Sequence, residues 1–247
     1  MVLEMKKGIA MHLISLLWIA MLCVVASLPA LVNPASVWAE TVFPASADTF
    51  ITMQDGGPNA NYGGTQSMCA CRGDQVGYHR HSLVKFDLSA YAGWTMEPGT
   101  QPIVELWLAG MHTAGWKGNP VRADLITGRD WDEMSVTYNS FFAAGQALTP
   151  LVTHTVYDSQ VGRYHTWPIP DWVVQDWLDH PSTNYGLLFE SLTNINKTDA
   201  WFHTREVAGH EPRITFEAIP EPGTLILLIV GGVLLFICRG NAWASRR

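Results

Sequence analysis

The chain has 247 residues, 48% of them hydrophobic and 15% charged, with 15 Lys and Arg against 22 Asp and Glu and a formal net charge of −7. Five of the cations (Lys6, Lys7, Arg239, Arg246 and Arg247) sit at the two ends, so the middle is more acidic than the whole. Charge of that sign argues against nucleic acid or an anionic membrane surface as partner.

At the N-terminus, Lys6 and Lys7 precede an apolar stretch from Ile9 to Ala26, and Val37-Trp38-Ala39 follows. A basic region, an apolar region and a small-residue cleavage site are the layout of a secretory signal peptide. The spacing predicts a signal helix within 1–39 and cleavage after Ala39, leaving Glu40 as the new N-terminus. An uncleaved anchor is the alternative, and both readings export the chain. Residues 40–218 are then long enough for one domain with its own core.

That stretch reads as β-structure. Short alternating runs at 49–53, 82–86, 103–108, 151–156, 185–190, 200–204 and 213–218 are separated by turns such as Asp55-Gly56-Gly57-Pro58-Asn59. Many short strands with Gly/Pro turns predict an antiparallel, jelly-roll-like β-sandwich. Cys69 and Cys71 lie two apart, which on a strand puts both on one face. A disulfide across so short a loop would be strained, so they are expected as buried thiols. Around residue 175 the period changes: Val173, Val174, Trp177 and Leu178 recur at helical spacing, with Asp171 as expected N-cap and Pro181 beyond the end. One short helix with Trp177 buried is expected there, and Trp131 is also assigned to the core.

The C-terminus, 219–247, opens on Pro220-Glu221-Pro222, continues uncharged from Pro222 to Cys238, and ends on Arg239, Arg246 and Arg247. The uncharged run reaches the short end of the ~17–25 residues that a membrane-spanning helix needs. The arginines after it place the tail on the cytoplasmic side.

Several motifs in order resemble the DNRLRE domain, also described as carbohydrate-binding module family 96. They are Asp48-Thr49-Phe50-Ile51, the turn Asn59-Ala60-Asn61-Tyr62-Gly63, and the strand His81 to Ser89. Trp131 to Asn139 follows, with Tyr138 where the family usually has Trp. Asn184-Tyr185-Gly186-Leu187-Leu188 and Thr204-Arg205-Glu206 with Pro212 close the series. The tail resembles a PEP-CTERM sorting signal. That resemblance implies an exosortase as partner, an inner-membrane intermediate, and delivery to the surface or extracellular matrix of a Gram-negative bacterium. Together the two imply a non-catalytic protein that binds or organises extracellular polysaccharide. A purely structural matrix or adhesion protein is the alternative, and a polysaccharide-cleaving enzyme is a third reading.

Flat aromatic rings stack on sugar faces. Trp107 and Trp201 alternate away from the apolar faces of their strands, His203 accompanies Trp201, and Trp94 and Trp116 occupy polar loops. These are the candidate carbohydrate-binding residues. The histidines His79, His81, His154, His165 and His203, with Arg80, are candidates for an acidic polymer. Asp48, Asp55 and Asn59 are candidate calcium ligands, although no Asp-x-Asp-x-Asp-Gly loop supports them. No other cofactor is expected. Neither a Gly-x-Ser-x-Gly elbow nor a His-Glu-x-x-His motif occurs. Asp130, Asp132 and Glu133 cluster in sequence, but Glu133 lies in a segment assigned to structure.

Overall fold

The computed structural model describes residues 41–54, 56–72, 79–112, 118–143, 145–193 and 198–220. The signal segment with Ala39 and Glu40 lies outside them. So do Asp55, Trp116, and the tail residues Glu221, Pro222, Arg239, Arg246 and Arg247. Among the described residues no helix is long and apolar enough to cross a membrane.

The domain is built from antiparallel strands: β1 (Thr41–Pro44), β2 (Ala47–Thr52), β3 (Ser67–Arg72), β4 (His79–Lys85), β5 (Thr95–Met96), β6 (Ile103–His112) and β7 (Asn119–Ile126). They continue as β8 (Leu148–Val156), β9 (Arg163–Pro168), β10 (Leu187–Ser191), β11 (Asp199–His203), β12 (Arg213–Phe216) and β13 (Ala218–Ile219). The result is sandwich-like, but the strands do not divide into two separate sheets. One hydrogen-bonded path runs β1-β12-β6-β11-β3-β4-β10-β7-β8, with β2 also on β4 and β9 also on β6. Two residue pairs, Cys71–Arg80 and Arg72–His79, carry that path from β3 to β4. The sheet therefore curls around its own core. β5 and β13 form a separate two-stranded ribbon.

Inside the curl, Val104, Leu106 and Leu108 from β6 meet Leu187 and Phe189 from β10, Val121 and Ala123 from β7, and Phe202 from β11. Trp167 of β9, fully buried, lies edge-on to Phe189 at 5.3 Å and to Phe202 at 5.8 Å. Its indole N–H donates to the Val121 carbonyl (3.0 Å), so its polar atom is satisfied within the apolar core. The other face of β2-β4-β10-β7 is covered as well. Ile51, Leu83, Leu188 and Ile126 pack beneath Trp131, Val136 and Phe141. This cover contains the short helix α1 (Tyr138–Phe141). Trp131 is fastened by its Nε1–H to the Tyr185 carbonyl (2.8 Å) and by the Lys85 ammonium 5.0 Å above its ring. Strands buried on both faces lose the alternation by which a strand is recognised.

The second helix, α2 (Asp171–Asp179), buries Val173, Val174, Trp177 and Leu178 as its spacing requires. Its N-cap is Pro170, however, and Asp171 is the first helical residue. Pro170 has no side-chain acceptor, and Asp171 instead accepts from the Trp172 N–H (2.8 Å), a position where a carboxylate also suits the helix dipole. Cys69 and Cys71 are buried free thiols.

The turn at 59–63 clamps the start of the cover. Asn61 Nδ2 donates to the carbonyls of Glu133 (2.8 Å) and Val136 (2.7 Å). Gly63 lies so close that a Cβ there would stand 2.3 Å from the Glu133 carbonyl oxygen, which only glycine avoids. Asn61→Ala leaves two half-buried carbonyls without that donor. It is expected to cost about 1–3 kcal/mol in a urea unfolding curve.

His81 is buried among Tyr138, Phe142 and Glu190. Burial pushes its pKa down to about 3, with the charges of His79 and Arg72 adding to the effect. The Glu190 carboxylate 3.7 Å away would favour the charged ring, but Glu190 is engaged by Arg122 and burial dominates. An unfolded histidine titrates near 6.5, so between about pH 6.5 and 3 the unfolded chain binds the extra proton. Buried carboxyls such as Asp124 and Glu190, whose pKa values burial raises, act in the opposite direction. The prediction is therefore a difference. The stability of wild type relative to His81→Gln falls as pH is lowered through this window, by up to ~1.4 kcal/mol per pH unit, read from paired denaturation curves. A pH-independent difference contradicts it.

Candidate functional site

Among the described residues, the outward side of β9-β6-β11 gathers several aromatic rings. On β6 the residues between the core positions, Glu105 and Trp107, point outward and are half-buried. Tyr164 of β9 stands opposite Trp107 in register, its ring edge-on at 5.1 Å. From the loop after β11, His210 lies 4.0 Å from the Trp107 ring, and His203 lies 5.4 Å beyond it. The Tyr164 hydroxyl donates to the carbonyls of Gly209 and Glu211, both at 3.3 Å, which holds this loop against the strand. The Arg213 guanidinium sits 3.9 Å above the Tyr164 ring and donates to Glu105 (2.6 Å). The pairing with Glu105 pushes the Arg213 pKa up, so its charge is secure. The surface is thus a row of flat rings with imidazoles and a guanidinium at its margin. Rings of this kind can stack on the C–H faces of a sugar, and the guanidinium can meet a carboxylate.

Trp107 and His203 are brought together here. Tyr164, His210 and Arg213 join them without having been expected. The signal for Tyr164 was its outward alternation on β9, in Arg163-Tyr164-His165-Thr166-Trp167; His210 and Arg213 carry none, because a loop places them.

Other candidates lie elsewhere. Trp201 packs edge-on against Phe50 at 6.3 Å and beneath the Arg80 guanidinium at 5.3 Å. Trp94 lies edge-on against Tyr91 at 4.7 Å and packs on the core, because Gln175 of α2 bonds its carbonyl (3.2 Å). Neither ring belongs to the row. The cationic cluster expected at 79–81 is not a solvated face either. Arg80 is buried 3.4 Å from Asp199, and His81 is held neutral by burial. His154 and His165 meet each other at 3.1 Å between β8 and β9, and burial lowers the pKa of both.

A separate open groove of about 520 Å³ is lined by Leu125, Thr127, Thr149, Trp172, Gln175, Asp176 and Asp179. Trp172 is 51% exposed at its edge. Its sequence signal was a tryptophan lying off the apolar face of an amphipathic helix.

The acids at 130–133 have different partners. Asp130 binds Lys85 (2.6 Å), Asp132 accepts from the Met134 N–H (3.1 Å), and Glu133 pairs with Arg205 (2.6 Å). Glu133 also has two acidic neighbours that are distant in sequence. Carboxylate oxygens of Asp48, Glu133 and Glu206 lie within 4.8 Å of one another. Burial, together with the charges of Glu206 and Glu133, pushes the Asp48 pKa up to about 8, against a hydrogen bond from the Arg205 N–H. Asp48 was expected as a cation ligand with Asp55 and Asn59. Asn59 instead accepts from Asn139 Nδ2 (2.9 Å), and the oxygens around Asp48 come from other segments.

No curated protein matches this chain. Residues 39–217, most of the length, match the family model of carbohydrate-binding module family 96, and the chain belongs to that family.

Proposed function

We propose that this protein is an exported, non-catalytic binder of extracellular polysaccharide, and that the sugar lies along Trp107, Tyr164, His203 and His210. The observation that carries this reading is the row of rings on the outward face of β9-β6-β11, in a chain of a carbohydrate-binding family. Stacking tolerates many sugars, while Arg213 and the two imidazoles favour a polymer bearing carboxylates. Asp130 is paired with Lys85 and Glu133 with Arg205, so neither stands as a free acid or base, which supports binding over cleavage. The signal-like N-terminus and the Pro220-Glu221-Pro222 tail support export, with exosortase processing at the inner membrane and delivery to the surface or matrix.

The groove beside Trp172 supports a second reading, a site for a neutral sugar. There a strongly exposed ring adjoins Thr127 and Thr149, whose hydroxyls can hydrogen-bond, and Asp176 and Asp179 would repel a uronate.

Calorimetric titration of the full chain with alginate and with the host's own exopolysaccharide separates these readings. Trp107→Ala and Tyr164→Ala are each expected to weaken binding about tenfold, ~1.4 kcal/mol, with Trp172→Ala neutral. Loss on Trp172→Ala alone moves the site to the groove. Absence of binding to either polymer leaves the structural matrix role. Release of reducing or unsaturated ends would overturn the non-catalytic reading.

A further inference from the structure

We propose that Asp48, Glu133 and Glu206 form a calcium site that fastens three segments of the domain to one another. The residues come from β2, from the turn that opens the cover over β2-β4-β10-β7, and from the loop between β11 and β12. Their nearest oxygens lie within 4.8 Å of one another. Oxygens on opposite sides of a calcium ion, each at ~2.3–2.6 Å, are separated by about 4.6–5.2 Å, so the spread suits that ion.

Proximity of acids alone would carry little, since surface carboxylates gather without an ion. Here two of the three are inside the protein, Asp48 at 1% exposure and Glu133 at 5%. Each has one oxygen bonded. Asp48 Oδ2 accepts from the Arg205 N–H (2.8 Å), and Glu133 Oε2 accepts from the Arg205 guanidinium (2.6 Å). The second oxygen of each, Asp48 Oδ1 and Glu133 Oε1, is fully buried with no hydrogen-bond partner among the described residues. A buried carboxylate oxygen left so bears the full cost of its lost hydration. Arg205 is the cation seen among them, and its single charge is also shared with Glu206 at 3.5 Å. With all three ionised, three carboxylates against one guanidinium leave an excess of negative charge, which a divalent ion would neutralise. The donors are hard oxygens, the set for calcium or magnesium rather than zinc or copper. Glu206, exposed to solvent, gives the ion a path into the site.

The loop that carries Glu206 also carries His210, four residues on, over Trp107. The ion would thus hold the ring row in place while touching none of it. The inference does not rest on polysaccharide binding, because the metal is read in the absence of glycan.

The test strips the full chain with a chelator and follows thermal unfolding and calorimetric binding as calcium chloride is added. Calcium at about 100 times its dissociation constant is expected to raise the unfolding midpoint by ~5 °C or more. Asp48→Asn is expected to abolish the rise. Glu206→Gln, at a position open to solvent where folding is not at risk, is expected to weaken calcium binding about tenfold. No calcium-dependent shift or heat in the wild type overturns the proposal. An undiminished shift in Glu206→Gln does so too, and that variant decides the matter if Asp48→Asn fails to fold.

Discussion

Arg205 fastens parts of the chain that are far apart in sequence. Its guanidinium donates to the Ser46 carbonyl (2.8 Å) ahead of β2 and to Glu133 (2.6 Å) at the start of the cover, and its own N–H donates to Asp48 (2.8 Å). Asp48 and Glu133 are almost without solvent, and a buried carboxylate persists only where a positive charge or fixed N–H groups meet it. One residue supplies both kinds of partner. The clamp of Asn61 on the Glu133 and Val136 carbonyls brings the cover to the same place from the opposite side. What covers β2-β4-β10-β7 therefore depends on a small polar knot whose parts stabilise one another.

This knot bears on function through what it leaves open. The cover occupies the outer face of β2-β4-β10-β7, and the core fills the inside of the curl. Among the described residues, the outward face of β9-β6-β11 and β12 displays several rings together. Rigid strands set Trp107 and Tyr164 opposite each other, while the loop after Arg205 and Glu206 supplies His210. A platform on strands needs little ordering when a flat ligand arrives, so less of the stacking energy is lost to conformational entropy. Arg213 serves two ends here, covering the Tyr164 ring and neutralising Glu105, which would otherwise stand as a bare carboxylate next to Trp107.

Much of this was legible in the residue order, and the remainder was hidden for definite reasons. The β-class, the helix over Val173 to Leu178, and the burial of Trp131 and Trp177 follow from periodicity and hold in the structure. β1, β7 and β9 were not among the expected strands, and β3 was read as one only at Cys69 and Cys71. Ser67–Arg72 buries residues on both faces, so it does not alternate. Asn119–Ile126 contains Pro120 together with buried Asn119 and Asp124, which read as loop until Ser191 and Arg122 are seen bonding to them. The histidines near 80 read as a charged face because nothing in a linear string shows that α1 will close over His81. The three clustered acids gave no spacing signal, since more than 70 residues separate each from the next. Outward alternation placed Trp107 correctly on its strand. The same rule held for Trp201, which is half-buried on the outward side of its strand, although Phe50 and the Arg80 guanidinium pack against its ring.

The most direct test of the account is to map which tryptophan meets the sugar. Indole N–H signals of the full chain, assigned by single Trp→Phe substitutions, would be followed by NMR during titration with an oligouronate. The account predicts that the Trp107 signal moves with saturation, while the signals of Trp131, Trp167 and Trp177, held in the core and cover, stay in place. Movement of Trp172 with Trp107 unmoved, or movement of none, would contradict it.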